Sequence, residues 1–320
     1  YYNTHPNLTH ILLVGEHNDL PAYPTTVING FTSARTDNYY GQLEGDDLYM
    51  DVFIGRLSVA DEIDAENQVE KIIYYERDID ETASWLGKGI GIGSVEGNGH
   101  YGEKDYQHID FIRDTLMNYT YQSISQRYEG VYSATTNDIT ADFNSGVGIA
   151  NYCNHGTKDS WVIADFNTTC VNNLTNDYKL PFIWSSACYN GQFDYDECFA
   201  ESWQRAVNPA TGAPTGAIGG MFSWISQPWI PPMYGQDEMV NILTEHRSGY
   251  KHTLAGASLN GNMYILDMSP DDNGDTYKTW ILFGDPSLML RTEAPQKMNV
   301  DCDNTLYLGM TEMLVNATTD

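Results

Sequence analysis

VGIANYCNHGT, residues 147–157, and PFIWSSACYNG, residues 181–191, share one construction: an apolar run of strand length ends in a polar turn that contains glycine. Runs of this kind suit strands buried on both faces of a parallel sheet. In open α/β sheets the site forms where the carboxyl ends of such strands release their turns. The first turn offers Asn154, His155, Gly156 and Thr157, and the second Cys188, Tyr189, Asn190 and Gly191.

Outward from these stretches, apolar runs alternate with helical periodicity, the signature of a parallel sheet covered by helices. Residues 10–15, 52–59 and 88–94 read as strands. A helix over 64–78 carries Val69, Ile72 and Ile73 on one face, and a helix over 106–117 turns Ile109, Ile112 and Leu116 inward. Further on, 198–207 and 232–247 read as helices, and 216–225 and 279–283 as strands. Beyond Arg291 the text shifts to short polar alternation, as at 305–308, which suggests the start of a β module. The expected organisation is an α/β subdomain over 1–90, a second over 91–292 that carries both decisive turns, and an incomplete β module over 293–320.

The 320 residues hold 16 Lys and Arg against 44 Asp and Glu, a formal net charge of −28, which argues against a phosphate-backbone ligand. Hydrophobic residues make up 41 %, enough for a sizeable core, and no run approaches the roughly 20 apolar residues of a membrane helix. Five cysteines at irregular spacing give neither a disulfide framework nor a CxxC metal site. His17, His100 and His108 lack metal-ligand spacing, which disfavours zinc. The opening residues lack a basic stretch followed by an apolar one, so any signal peptide is expected outside this sequence.

A cysteine attacks a carbonyl as thiolate, and a free thiol with a pKa of about 8.5 is mostly protonated at neutral pH, so a nearby imidazole is needed. Two neighbouring strand ends can supply that pair, and the glycines beside them free N–H groups for an oxyanion. Singly, a turn histidine and a strand-end cysteine are more often structural. Together with their surroundings they carry more: NYCNHG (151–156), PFIWSSACYNGQF (181–193) and CFAES (198–202) resemble the gingipain family of cysteine peptidases, relatives of caspases, legumain and clostripain. HILLVGEHNDLPA (10–22), YGQLEGDDLYMDVFIGRLS (40–58), IIYYERDI (72–79), GQDEMVNIL (235–243) and TWILFGDPSLMLRT (279–292) follow the same family in the same order. The likeness runs from residue 10 to about 298 and is nearest the arginine-specific members.

The resemblance implies a three-layer α/β/α caspase-haemoglobinase-like fold with two sheet-containing subdomains, the second catalytic, followed by the start of an immunoglobulin-like module. The family's first strand and helices should precede Tyr1. Cys188 matches the nucleophile, His155 the general base and acid, and Glu96, in GSVEGNGH (93–100), the acid that orients the imidazole. Main-chain N–H groups of Gly156 and Cys188 match the oxyanion donors. Asp105, in GEKDYQHID (102–110), matches the base of an arginine pocket with Trp229 and Met233, in QPWIPPM (227–233), as walls. A planar guanidinium bonds a carboxylate bidentately while its face rests on an indole. Asp105 could instead cap the helix that starts there. Ser186 and Cys153 differ from the types expected near that pocket, leaving lysine tolerance open.

A third cluster is Glu16 with residues 44–51, where Asp47, Asp51 and the carbonyls of Glu44 and Tyr49 offer oxygens suited to calcium. Alone it reads as a solvated acidic turn; it coincides with a calcium site of the resembling family. The expected protein is therefore a secreted or surface-bound bacterial cysteine endopeptidase that cuts after arginine without a catalytic cofactor. Protein or peptide substrates and an inhibitory propeptide are its expected partners. A sorting transpeptidase of the same family, and a catalytically silent adhesin on this scaffold, are the competing readings.

Overall fold

A computed structural model of the chain describes residues 2–5, 7–27, 33–194, 196–249, 252–302, 305 and 307–319. At its centre lies an eight-stranded sheet of β1 (His10–Val14), β2 (Phe53–Leu57), β3 (Lys88–Ser94), β4 (Ser123–Glu129), β5 (Ile149–Cys153), β6 (Phe182–Ser186), β7 (Gly219–Ser223) and β8 (Trp280–Phe283). The spatial order is β1-β2-β8-β7-β6-β5-β3-β4. Neighbours run parallel except β7 and β8, where Gly220 faces Phe283 and Ser223 faces Trp280. This reversal splits the sheet into two blocks pointing opposite ways. The carboxyl ends of β3, β5, β6 and β7 consequently gather at one end, and those of β1 and β2 at the other. Residue 90 falls within β3, and β8 is inserted between β2 and β7, so a single sheet runs through both expected subdomains.

Strands β5 and β6 are buried at every position, and the polar residues among them are hydrogen-bonded: Asn151 accepts from Gln236, Ser185 accepts from Trp161, and Ser186 donates to Gln236. Helices α2 (Asp105–Met117), α5 (Ile230–Leu243) and α6 (Leu254–Met268) contribute Ile109, Leu116, Met239 and Leu259 to one core cluster. Helices α3 (Thr136–Ser145) and α4 (Phe199–Arg205) contribute Phe143 and Trp203 to the other, where their rings stand 4.8 Å apart. Fully burying each large apolar side chain stabilises the fold by about 1.5–3 kcal/mol. The alternating glycines of β3 have a positional reason. A Cβ on Gly91 would come within 2.5 Å of Ile109 Cγ2, and one on Gly93 within 3.0 Å of the Tyr106 nitrogen. Glycine there lets α2 lie against the strand, which carries Asp105 to the carboxyl end of β3.

The helix expected over 64–78 is α1 (Glu62–Ile73) followed by a π turn, Tyr74–Asp78, and its inward face is not the apolar one. Of the three apolar residues expected inward, Ile72 is partly buried against the core but Val69 and Ile73 are exposed, while Asn67, Gln68 and Lys71 are buried. These polar residues meet main-chain carbonyls rather than a greasy surface. Asn67 donates to Arg205 O, Gln68 to Ser58 O, and Lys71 Nζ to Trp203 O and Gln204 O at 3.3 and 2.6 Å. Burial pushes the Lys71 ammonium down to a pKa of about 7. Strand β4 and helices α3 and α6 have no counterpart in the sequence reading. Helix α6 is buried around most of its circumference and includes Gly256 and Gly261, so it shows no polar stripe. At the carboxyl end, Met298–Cys302 pairs antiparallel with Val315–Thr319. Residues 305, 307 and 308 form no strand, and 306 lies outside the described residues.

Candidate active site

The turns released by β5, β6 and β7 enclose a cavity of about 290 Å³. Both His155 and Cys188 line it, on neighbouring turns, since β5 and β6 pair in register with Cys153 beside Ser186. The turns touch at Gly156, where a Cβ would lie 2.7 Å from Cys188 O and 2.9 Å from Ala187 Cβ. Any larger residue would force them apart. Neither the Gly156 nor the Cys188 main-chain N–H has an acceptor among the described residues, so both are open to an oxyanion. Directly after Cys188 the chain turns sharply through Tyr189, at φ 61°.

The imidazole of His155 is half exposed. Its Nε2 lies 3.3 Å from Glu96 Oε2, and its ring meets Trp229 edge-on at 5.0 Å between centroids. With Nε2 turned to a carboxylate, Nδ1 is the nitrogen left for proton exchange. The thiol of Cys188 has Ser226 Oγ at 3.6 Å and Gln227 O at 3.9 Å.

Asp105 is wholly buried at the first turn of α2 and does not cap it. Its Oδ1 accepts from Trp229 Nε1 at 2.8 Å and from the Cys153 thiol at 3.9 Å, and its Oδ2 from Asn154 Nδ2 at 2.8 Å and Ser94 Oγ at 3.2 Å. Burial raises the pKa of its carboxyl, against which the hydrogen bonds from Asn154, Trp229 and Ser94 work. The Cys153 thiol, desolvated and beside that carboxylate, is pushed well up and stays a donor rather than a nucleophile. Trp229, Cys153 and Ser186 line the cavity. Met233 is buried in the core, and Pro232 is the residue of α5 that faces the cavity.

Three contributors escape sequence reasoning. Asn190 binds the turns together, its Nδ2 donating to Thr157 O and Ser160 O at 2.6 and 2.9 Å while its Oδ1 accepts from Ser185 Oγ. Ser94 donates to Asp105, and Asn154 sits between Asp105 and Glu96. A buried Asn beside two carboxylates is legible only once the turns are assembled; the adjacency of Asn154 to His155 was the available signal. Partners for His100 and His108 likewise arise from the fold, which places Asp237 at 3.2 and 3.6 Å from them and Glu103 beside both.

At the acidic turn, Asp51 Oδ2 accepts from the nitrogens of Leu43 and Glu44, Asp47 Oδ1 accepts from Tyr49 N, and the Tyr49 hydroxyl donates to Asp267. Glu16 is not brought to this turn. It follows β1 whereas residues 44–51 precede the parallel β2, so they lie at opposite ends of the sheet, and Glu16 pairs with Arg205 at 3.3 Å. Among the described residues no three His, Cys, Asp or Glu side chains are grouped to hold a metal.

Comparison with known proteins shows the family. The profile described as Peptidase family C25 matches residues 1–291, and the chain belongs to that family. Gingipain R2 of Porphyromonas gingivalis is 41 % identical over 298 residues, which is 92 % of this chain. Gingipain R1 of the same organism is 39 % identical over 318 residues, and Lys-gingipain 29 % over 245. The chain spans 39 % of the length of that gingipain R2 and 31 % of that gingipain R1. The crystal structure of an Arg-specific cysteine proteinase, gingipain R, superposes with a TM-score of 0.92 at 38 % identity, covering 99 % of this chain and 72 % of the other. A complex of gingipain pro- and mature domains superposes at 0.90 and 39 % identity, covering 97 % and 72 %.

Proposed function

We propose that the protein is a cysteine endopeptidase that hydrolyses peptide bonds after arginine. The observation that carries this reading is the convergence of Cys188 and His155 on one cavity with the buried Asp105 carboxylate behind its wall. In the reaction, the Cys188 sulfur bonds to the scissile carbonyl carbon as its proton passes to His155. The N–H groups of Gly156 and Cys188 hold the resulting oxyanion. Collapse breaks the C–N bond, His155 protonates the departing amine, and a thioester remains. Water, deprotonated by His155, then attacks the thioester and returns the thiol. Glu96 favours the imidazolium that forms twice in the cycle.

Asp105 gives the pocket its charge, with Trp229 and Met233 as the wall and its support, and a guanidinium there would share the carboxylate with the Trp229 indole. Replacing it by Asn is expected to reduce preference for Arg-ending over neutral peptides roughly ten- to hundredfold, the loss of one charged hydrogen bond. Because the raised Asp105 carboxyl must be ionised to bind a cation, cleavage after Arg in the native protein should fall with decreasing pH at a higher value than the usual aspartate pKa of about 3.9. In Asp105→Asn that limb should vanish. Fluorogenic peptides assayed across pH check both points, and an unchanged preference removes Asp105 from the pocket. An arginyl chloromethyl ketone should label Cys188; failure to label, together with no peptide cleavage, rejects the peptidase.

Support for an inhibitory propeptide comes from the superposed pro- and mature-domain complex. Export to the cell surface or medium is supported by the bacterial relatives, and among the described residues no helix is long and apolar enough to cross a membrane. The oxygen donors of Asp47 and Asp51, with carbonyls of Glu44 and Tyr49, suit a calcium ion that would tie the acidic turn together without entering the chemistry. Added calcium should then raise the melting temperature over that in chelator, since a ligand of the native state alone stabilises it. No shift would leave the turn merely solvated.

A further inference from the structure

The side chain of Asn154 joins the two acids of the site. Its Nδ2 lies 2.8 Å from Asp105 Oδ2, 2.9 Å from Ser94 Oγ and 3.4 Å from Glu96 Oε2. Ionised carboxylates only accept, so the amide must turn its nitrogen to them and its oxygen away. That oxygen has no hydrogen-bond partner among the described residues, and Asn154 lines the cavity although Asp105 does not. Glu96 Oε2 meanwhile lies within 3.3 Å of His155 Nε2. Two amide hydrogens thus serve three acceptors that belong to the pocket on one side and to the imidazole on the other.

We propose that Asn154 is a positioning and specificity-determining residue: Nδ2 ties the pocket carboxylate to the acid beside His155, while Oδ1 offers an entering guanidinium a neutral acceptor. A guanidinium that takes lone pairs from Asp105 releases an Asn154 N–H toward Glu96, so filling the pocket is felt at the imidazole. This inference rests on the proposed cleavage after arginine.

The test compares the whole protein with Asn154→Ala and Asn154→Ser on Arg-ending fluorogenic peptides across pH, with melting curves to establish folding. For Asn154→Ala, kcat/KM is expected to fall roughly ten- to hundredfold with both kcat and KM affected. Its acid limb should move to higher pH, because a hydrogen bond to ionised Asp105 is lost. Asn154→Ser, too short to span both acids, should show the same shift of the limb. A merely structural role would raise KM and leave the limb in place, which overturns the proposal, as does an unchanged kcat/KM in a native protein that cleaves after Arg. No cleavage and no chloromethyl ketone labelling by the native protein would instead sink the underlying activity and this inference with it.

Discussion

Cys188→Ala is expected to abolish turnover of Arg-ending peptides while leaving the melting temperature within a few degrees of the native protein. His155→Ala should do the same. Where nucleophile and base act as a unit, removing either costs roughly a millionfold in kcat, and removing both costs little more. The two side chains reach one cavity from adjacent turns, half exposed or in partial contact with solvent, so their truncation opens no hole in either core cluster. Initial rates with a fluorogenic substrate, beside circular-dichroism melts, measure both halves of the statement. Full activity in Cys188→Ala would end the assignment of the nucleophile.

The largest expected loss of stability lies away from the cavity. Arg56, in the middle of β2, is wholly buried and grips Asp37 through Nε and Nη2 at 2.6 and 2.7 Å, with Nη1 donating to Gly15 O at 2.7 Å. Its guanidinium also lies over the Phe193 ring, 4.8 Å from the centroid. Arg56→Met should lower unfolding free energy by about 3–5 kcal/mol, because it strands the buried Asp37 carboxylate. Adding Asp37→Leu should recover much of that loss, since a pair replaced by apolar side chains leaves no uncompensated charge. Urea unfolding of the native protein and these two variants decides the matter. A deficit below about 1 kcal/mol in Arg56→Met would mean that water or a rearranged donor satisfies Asp37.

Arg56 also shows where the sequence stops speaking. In VFIGRLS it reads as one charge in an apolar strand, with nothing to indicate that Asp37 waits 19 positions earlier. The same holds for α1, where periodicity pointed to Val69, Ile72 and Ile73, and the fold packs only Ile72 of these against the core while burying Asn67, Gln68 and Lys71. Hydrophobic spacing reports which face could be buried against an apolar neighbour, and here the neighbour is a row of carbonyls. Glu16 is a comparable case: an acid grouped with residues 44–51 as an expected ligand, placed at the far end of the sheet by the parallel pairing of β1 and β2.

From residue order alone came the strands of the sheet other than β4, helices α1, α2, α4 and α5, and the two turns bearing His155 and Cys188, because local apolar runs and turn residues encode elements directly. Charge also argued against a phosphate-backbone ligand, and the sequence holds no apolar run long enough for a membrane helix. Tertiary structure decided what stands beside what: the reversal at β7 and β8, the contact of the turns at Gly156, the partners of Arg56, and Asn154 between Asp105 and Glu96. Those contacts join residues distant in the chain, and their energies depend on burial and direction, which a string of residue types does not contain.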